Sequence, residues 1–550
     1  MSEGDHGQPT NTFLQRWRDF GTRQLLSLAF FTGIVLGLSE LLFGLLIGKD
    51  IIDSIWPHAV RSLSWTMYLR DSMGTVWILL ILTTSMALLC AKLRQFESYR
   101  NRVEAVGIMI IGVVISWIVL HLVMDIFYLR GAFLLLPFLY GYILISLLIG
   151  IFGLPGLRQT TSSALSWSRL VHIGGVFLAA WLVMPGIPAI IGMAPSPPKQ
   201  PQFGYGATPG PYQTSYQTFS YPMPDEVEAI RGPTEASIEF SIYLSLPLIP
   251  ESLNVSSIPL AIMLHGFGYP DYDAYSAWVD HLTAKGMAVA FIQYPSDLWP
   301  KGVENHQEVI EAGTSNFLQH DYRNLAIRSA MATLRSGINP PTQWDFITNQ
   351  LHNITIDASH LWVGGHSLGA AYSLLVLDEV LTYQWGNESL VIDLEAPANR
   401  PVQTQLQPSL GGLPNHTIVQ IMVSEDDMSV GICPGAFHQA LFPQPLKMND
   451  VLLVRSDKYG FPRLVASHYL QTDPAHDSLS DFGFYRRLDA QADYLVAQAR
   501  QDSITSAWAT DYMTSDEMWL DMGDWSDGTP VLPLVRFTNA LDSSQFDSCN

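Results

Sequence analysis

A serine between two glycines is the first feature of this chain that indicates chemistry. Gly365-His366-Ser367-Leu368-Gly369 is a G-x-S-x-G pattern that ends a short apolar run and precedes small, helix-compatible residues. A strand, a sharp turn and a helix in this order raise a serine hydroxyl to the end of a sheet. The glycines give the chain room to fold back on itself. Because the pattern also arises by chance, it predicts a nucleophile only if partner residues exist elsewhere.

A serine hydroxyl needs a base to take its proton and a carboxylate to orient that base. The carboxylate should follow a late strand, and the candidates are Asp427, Asp426 and Asp393. The candidate bases are His468, which follows a short apolar stretch, and His476. At this point the residues themselves leave both choices open.

The elements that must position these residues lie in the second half of the chain. Short apolar runs alternate there with helical segments, which predicts a mostly parallel sheet with helices on both faces. One of these runs ends in the turn His265-Gly266-Phe267-Gly268. The runs predicted to be strands are 238–246, 259–264, 287–293, 361–363, 390–393, 417–423 and 451–454.

These motifs, in this order, resemble the α/β-hydrolase superfamily of serine hydrolases over residues of about 227–500. The resemblance implies a doubly wound sheet and a serine, acid and histidine in that chain order. It also implies that the backbone N–H groups of Phe267 and Leu368 would bind the oxyanion. The loop and elbow residues that the resemblance carries over are His265, Gly266, Gly268, Gly365, His366 and Gly369.

The same resemblance ranks the candidate partners of Ser367. In the family a strand is followed by a G-x-x-D turn, and here Ser424 takes the place of the glycine, which favours Asp427. His468 follows the last predicted strand as the catalytic histidine of the family does, although the intervening segment is longer than usual. Asp426, Asp393 and His476 stay as alternates.

The two halves of the chain differ in charge and hydropathy. The 550 residues include 48% apolar and 14% charged residues and carry a net charge of −21. Residues 194–550 hold 16 Lys and Arg against 40 Asp and Glu. Such an acidic surface argues against nucleic acid as a partner. The length predicts two or more domains.

Long apolar stretches in the first half predict a multi-pass membrane region. Basic residues favour a cytoplasmic N-terminus, with nine on the inner and four on the outer side. An odd number of spans then places the second half outside the cytoplasm. The predicted spans are 25–47, 75–91, 106–129, 132–152 and 170–192.

Four parts of the chain are therefore predicted. They are a cytoplasmic segment, 1–24, a transmembrane helical bundle, 25–193, a linker, 194–226, and an α/β-hydrolase domain, 227–550. The linker is rich in proline, which predicts an extended spacer.

Ionisable groups within predicted spans are costly in a membrane and often functional. Glu40, His121 and Asp125 are such groups, and tying helix ends together is the more common role for residues so placed. In the acidic half, Cys433 and Cys549 could form a disulfide outside the cytoplasm. N-x-S/T sequons occur at Asn254, Asn353, Asn387 and Asn415.

The sequence thus predicts a membrane-anchored serine hydrolase acting on a small-molecule or lipid ester, with membrane lipids around its helices. No cofactor or metal is implied, and no protein partner is indicated. The alternative from another class is a non-catalytic receptor or scaffold that uses the hydrolase fold as a binding module. A third hypothesis makes the membrane half the functional one, as an acyltransferase or transporter.

Overall fold

The computed structural model divides into two compact units, Met1–Ala194 and Pro195–Asn550. Each is described by itself. The residues that the structure describes are 20–48, 51, 54–55, 81–82, 85, 89, 93, 96–124, 195–229, 240–296, 322–398, 410–427, 429–443, 445–457, 459–460 and 464–549.

The first unit contains three described helices, α1 (Phe20–Gly37), α2 (Ser39–Leu46) and α3 (Glu97–Met124). Asn101–Leu120, within α3, is long and apolar enough to cross a membrane. Arg23–Gly37 and α2 pass the same test only as a pair, which is bent by 61°. The described residues therefore contain one such helix, or two if the bent pair is a single span.

The predicted bundle of five spans is only partly described. The first predicted span, 25–47, corresponds to the bent pair α1–α2, and most of the third, 106–129, lies in α3. Glu40 lies exposed in the first turn of α2. The parts that fall wholly or mostly outside the described residues are the spans 75–91, 132–152 and 170–192, the side chain of His121, and Asp125.

Small residues let α1 and α3 pack with their backbones close together. A Cβ on Gly112 would lie 2.5 Å from Phe30 O, and one on Gly33 would collide with Met109 O. Ser116 Oγ donates to Gly112 O in its own helix at 2.9 Å. Close backbone approach through small residues is typical of helix pairs in membranes.

The second unit contains one sheet, and nine strands belong to it within the described residues. Their order across the sheet is β1-β2-β4-β3-β5-β6-β7-β8-β9. The six strands from β4 to β8 are parallel, while β1, β2 and β9 are antiparallel to their neighbours. The strands are β1 (Gln213–Ser220), β2 (Ser241–Leu248), β3 (Ser257–Leu264), β4 (Ala288–Ile292), β5 (Thr355–His366), β6 (Ser389–Glu395), β7 (Ile418–Ser424), β8 (Met448–Val454) and β9 (Val535–Phe537).

Helices cover both faces of this sheet, as the sequence predicts. Alternate residues of one strand belong to different cores: Leu260 and Ile262 to one, Ala261 and Met263 to the other. Strands buried on both faces read as continuous apolar runs, which explains the pattern of β3. The helices are α4 (Asp225–Glu228), α5 (Ser276–Lys285), α6 (Tyr322–Ile338), α7 (Asp345–Leu351), α8 (Leu368–Thr382), α9 (Cys433–Gln439), a π-helical turn (Ser480–Tyr485), α10 (Arg486–Ala499), α11 (Ser503–Thr514) and α12 (Asp516–Leu520).

Of the range predicted as an extended linker, 194–226, all but the first residue belongs to the second unit. Its residues Gln213–Ser220 form β1 and pair along their whole length with β2. Tyr205 is buried, and its ring packs against Tyr512 at 4.9 Å. The prediction missed this strand because an edge strand can be polar, so Gln, Thr and Ser there give no apolar signal.

The sequence also predicts a single terminal helix at about 488–500 that closes the domain, and the end of the chain differs from this prediction. After α10, the chain forms α11 and α12 and returns to the sheet as β9. Cys549, near the terminus, forms a disulfide with Cys433 at the start of α9. In a chain-entropy model, closing a loop of this length limits the unfolded chain and stabilises the fold by about 5 kcal/mol.

Candidate active site

Ser367 lies at the junction of β5 and α8 with a backbone that few serines adopt. Its φ is 56° and its ψ is −116°. Left-handed or otherwise strained backbone of this kind costs about 1–3 kcal/mol and persists only where neighbours hold it. Here Ser367 N–H donates to Glu395 O at 2.8 Å, and Ser367 O accepts from Ala398 N–H at 2.9 Å. The sharp turn predicted from G-x-S-x-G is therefore present.

The two glycines of the motif are required by close packing. A Cβ on Gly365 would lie 2.5 Å from Leu264 O, and one on Gly369 would collide with Leu264 O and His265 O. Both glycines thus let the sharp turn at Ser367 lie directly on the end of β3. This contact brings the serine beside the His-Gly turn.

Hydrogen bonds connect Ser367, His468 and Asp427 in one row. His468 Nε2 lies 2.8 Å from Ser367 Oγ, and His468 Nδ1 lies 2.7 Å from Asp427 Oδ2. All three residues are buried, with 6 to 7% of their surface exposed. An imidazole held on one side by a carboxylate and on the other by a hydroxyl is the arrangement that activates a serine.

Asp427 is fixed by its own turn. Its Oδ1 accepts from Ser429 N–H and Val430 N–H, both at 2.9 Å. Burial acts to raise the pKa of the Asp427 carboxyl, but the adjacent His468 and these two N–H groups outweigh burial, and its pKa is lowered. The carboxyl is therefore ionised and oriented toward the imidazole at neutral pH.

The alternate acids lie elsewhere. The Asp393 side chain accepts from Arg487 and Gln491. Asp426 contributes its backbone, since its N–H donates to Ala466 O at 3.0 Å and ties the acid turn to the segment before His468.

The rival base, His476, pairs with a different carboxylate. Its Nε2 lies 2.6 Å from Asp481 Oδ1, and its ring stacks on Tyr485. The structure thus brings His468, and not His476, to Ser367.

The long segment between β8 and His468 folds back on itself. Asp457 and Leu464 exchange two backbone hydrogen bonds of 2.8 and 2.9 Å. Ser456 Oγ then accepts from Ala466 N–H at 2.9 Å. These contacts shorten the path, so His468 reaches the serine in spite of the unusual spacing.

His366, the residue before Ser367, links His468 to the His-Gly turn. Its Nε2 lies 2.8 Å from His468 O, and its Nδ1 lies 3.0 Å from Tyr275 Oη. Tyr275 Oη also accepts from Gly266 N–H at 3.1 Å. Burial, and next the nearby His468, lower the pKa of His366 to about 3. A neutral ring must then donate from Nε2 and accept at Nδ1 from the tyrosine.

His265 braces the turn in which it lies. Its Nε2 accepts from Tyr294 N–H at 3.0 Å, and its Nδ1 lies 2.7 Å from Gly266 O. Burial lowers its pKa to about 4, so the ring is neutral and donates to that carbonyl. His265 therefore shapes the backbone of the turn.

The candidate oxyanion donors flank the serine. Phe267 lies between two anchored glycines, because Gly266 N–H donates to Tyr275 and Gly268 N–H donates to Ser296 Oγ at 2.9 Å. Leu368 is the first residue of α8, where backbone N–H groups have no acceptor within the helix. A Cβ on Gly266 would lie 3.4 Å from Ser367 Cβ, so the turn packs directly on the serine.

A buried polar network joins α10 to β6, the strand next to β5, and the sequence prediction missed it. Arg487 of α10 forms ion pairs with Asp393 and Glu395 of β6, and Gln471 donates to Glu395 at 3.1 Å. Burial raises the pKa of Glu395, against the opposing effect of Arg487. Two acids in an otherwise apolar strand were the available signal, since buried carboxyl groups need a cation.

Tyr275 was also missed, because nothing in the local sequence distinguishes a tyrosine that braces a site from one that fills a core. Among the described residues, no group of three or more His, Cys, Asp or Glu side chains is arranged to hold a metal ion.

Comparisons with known proteins add little to this geometry. No protein-family model matches the chain, and no curated protein does. Among solved structures, the chain is similar to one from a study of two fungal esterases from Rhizomucor miehei. The identity is 14% and the TM-score 0.33, over 54% of this chain and 86% of that one. A likeness at this level carries no weight for function.

Proposed function

We propose that the second unit is a serine hydrolase of the α/β-hydrolase type that cleaves an ester through an acyl-enzyme. The observation that carries the proposal is the row of hydrogen bonds from Ser367 Oγ through His468 to Asp427. The strained backbone of Ser367 adds support, because such strain clusters at functional sites.

In the first half of the reaction, Ser367 Oγ attacks the ester carbonyl carbon while His468 Nε2 takes its proton. Asp427 stabilises the imidazolium that forms. The N–H groups of Phe267 and Leu368 donate to the oxyanion of the tetrahedral intermediate, and one such donor contributes roughly 10²–10³-fold to kcat. His468 then protonates the leaving oxygen, the C–O bond breaks, and an alcohol departs.

In the second half, water attacks the acyl group on Ser367 while His468 takes a proton from that water. Collapse of the intermediate breaks the bond to Ser367 Oγ and releases a carboxylic acid. The proton on His468 returns to Ser367. No external oxidant, reductant or cofactor is needed for this sequence.

A fluorophosphonate probe tests the proposal directly, because it bonds only to an activated serine. We expect the full chain to react with the probe and to hydrolyse p-nitrophenyl esters, and Ser367→Ala to do neither. Ser336→Ala, at an exposed serine on α6, is the matched control and should behave as the wild type.

Labelling that persists in Ser367→Ala would overturn the assignment of the nucleophile. Tight binding of small esters with neither turnover nor labelling would favour the non-catalytic receptor. A melting temperature of Ser367→Ala close to that of the wild type excludes misfolding as the cause of lost labelling.

We also propose that the first unit anchors the hydrolase in a membrane. The support is an inverted side-chain distribution: glycines lie between α1 and α3, while Leu28, Phe31 and Val35 are more than half exposed. Large apolar side chains facing outward from a tightly packed helix pair suit a lipid environment.

The hydrolase domain is proposed to lie outside the cytoplasm. Two observations support this side: the distribution of basic residues around the predicted spans and the Cys433–Cys549 disulfide, since disulfides persist in oxidising compartments. Protease added to intact cells should remove the domain if it is exterior. Protection of the domain in intact cells, with digestion after permeabilisation, would overturn the proposed side.

A further inference from the structure

The four N-x-S/T sequons share one position in the fold. Each asparagine lies two or three residues before the first residue of a parallel strand. In each, the serine or threonine of the sequon is the last residue before the strand or its first residue. The pairs are Asn254 with β3, Asn353 with β5, Asn387 with β6 and Asn415 with β7.

These four strands are consecutive neighbours in the sheet. Contacts join the turns in pairs: Thr355 N–H donates to Ser256 O at 3.0 Å, and His416 Nε2 lies 3.2 Å from Gly386 O. Neighbouring strands are about 4.8 Å apart, so the four turns follow one another over roughly 15 Å of one sheet edge. We call this row of turns the strand-start edge.

The strand-start edge is opposite the proposed active site. Ser367, Asp427 and the His265 turn all follow the carboxyl ends of parallel strands, and His468 follows the last of these strands. In parallel strands the amino and carboxyl ends lie at opposite edges of the sheet. A bulky group at the strand-start edge therefore leaves access to Ser367 open.

Every sequon asparagine of the domain lies at its surface, a property that some other asparagines such as Asn339 share. Asn254, Asn353, Asn387 and Asn415 are all exposed. Asn324 and Asn449, by contrast, are 3% and 9% exposed, and neither begins a sequon. Because carbohydrate is attached before folding is complete, a modified asparagine must remain outside the folded domain.

We propose that the strand-start edge is a glycan-bearing surface, modified by N-linked oligosaccharides at two or more of its four sequons. In this transfer the asparagine amide nitrogen bonds to C1 of a sugar carried by a lipid pyrophosphate. The bond from C1 to the pyrophosphate oxygen breaks, and the amide proton leaves with the lipid pyrophosphate. The proposal rests on the exterior side proposed above, and does not depend on the hydrolytic chemistry.

Crowding sets the expected extent of modification. Glycans are large compared with the spacing of adjacent strands, so four neighbouring sites should compete. We expect partial occupancy, with at least one site modified in each of the two contacting pairs, Asn254/Asn353 and Asn387/Asn415.

The test is expression of the full chain in a eukaryotic host that glycosylates secreted proteins, followed by digestion with an N-glycosidase. We expect digestion to lower the mass and to convert asparagine to aspartate at two or more of the four positions. Replacing all four by glutamine should abolish the mass change. Asn339→Gln, at an exposed asparagine outside any sequon, is the matched control and should keep it.

A second variant distinguishes an error in the proposed edge from an error in the proposed compartment. Gln501→Asn creates the sequon Asn-Asp-Ser at an exposed position outside the strand-start edge, with a φ of 57° that asparagine tolerates. Modification of this new site while fewer than two native sites are occupied would overturn the proposed edge. Absence of any glycan, at the new site as well, would also overturn the proposal, because it would show that the domain does not lie on the exterior side of the membrane.

The hydrolase proposal has its own readout in the same samples. Fluorophosphonate labelling of Ser367 should be equal before and after deglycosylation, because the strand-start edge and the serine lie at opposite edges. Failure of glycosylation with normal labelling would therefore leave the enzyme assignment intact. A several-fold change in labelling on deglycosylation would contradict the opposite placement.

Discussion

Two buried histidine–aspartate pairs lie in the same domain with nearly equal geometry. His468 Nδ1 is 2.7 Å from Asp427 Oδ2, and His281 Nδ1 is 2.8 Å from Asp489 Oδ1. At the first pair, the far side of the ring faces Ser367 Oγ. At the second, the ring stacks on Tyr485 at 4.4 Å, between α5 and α10.

The difference shows that an imidazole and a carboxylate are not enough for a site. Asp489 also accepts from Gly206 N–H at 2.8 Å and so fixes a loop, which is a structural task. The pair at His468 lies at the carboxyl edge of the sheet, where the strained Ser367 packs against the His-Gly turn. We therefore expect the first pair to control rate and the second to control stability.

Removing each histidine should give the largest contrast. His468→Ala deletes the proposed base, and we expect kcat for an ester to fall roughly 10⁶-fold. His281→Ala leaves a buried carboxylate without its partner and should cost about 3 kcal/mol of stability. Ester kinetics and melting temperatures of the two purified variants test this. Comparable loss of kcat in both variants would contradict the assignment of rate to the first pair and stability to the second.

Replacing each carboxylate by its amide should give the next largest effect. Asp427→Asn keeps the shape but loses the orientation of the imidazole, and we expect kcat to fall about 10⁴-fold. Asp489→Asn should lower stability by about 1–3 kcal/mol through weakened buried hydrogen bonds. Its kcat at a temperature well below its melting point should match the wild type. A fall in kcat for Asp489→Asn at that temperature would contradict this.

A tyrosine near each pair offers a milder comparison: Tyr275 is connected to His468 through His366, and Tyr485 stacks on His281. Tyr275→Phe removes the hydroxyl that joins His366 to Gly266, and we expect kcat to fall about fivefold with KM little changed, since one hydrogen bond contributes about 1 kcal/mol. Tyr485→Phe removes a buried hydroxyl that has no hydrogen-bond partner among the described residues. This control should leave kcat unchanged. If the role of Tyr275 were only structural, Tyr275→Phe would lower the melting temperature without lowering kcat.

Acid stability gives the smallest expected effect. The pKa of Asp427 is lowered in the folded state, so the folded protein releases this proton more readily than the unfolded chain does. Its stabilising effect is complete above about pH 3.9, the pKa of a free aspartate, and is lost as the pH falls through the lowered value. Melting temperatures of wild type and Asp427→Asn should therefore converge as the pH falls below about 4. A constant difference would contradict the lowered pKa.

Much of the fold could be predicted from local pattern. The apolar run before Ser367, the run before His265 and the late strands all correspond to strands of the structure. Each is a buried parallel strand, whose continuous apolar sequence is the strongest signal a strand gives. β1 escaped prediction because it is a polar edge strand, and β9 because three residues are too few for a pattern.

The sequence by itself determined which residues lie at the carboxyl edge of the sheet. Apolar runs and turn glycines are local properties, and an apolar run leads directly into the turn marked by Gly365, Ser367 and Gly369. The chain order of serine, acid and histidine was implied by the resemblance to the α/β-hydrolases and not by local pattern.

Only the tertiary structure decided among the candidates. Asp427 and His468, and not Asp393 or His476, form a row of hydrogen bonds with Ser367 because segments far apart in the chain pack together. His468 contacts Ser367 across 101 residues and Asp427 across 41, while Arg487 binds Asp393 across 94. Local pattern does not encode such distances, because they depend on how whole elements pack.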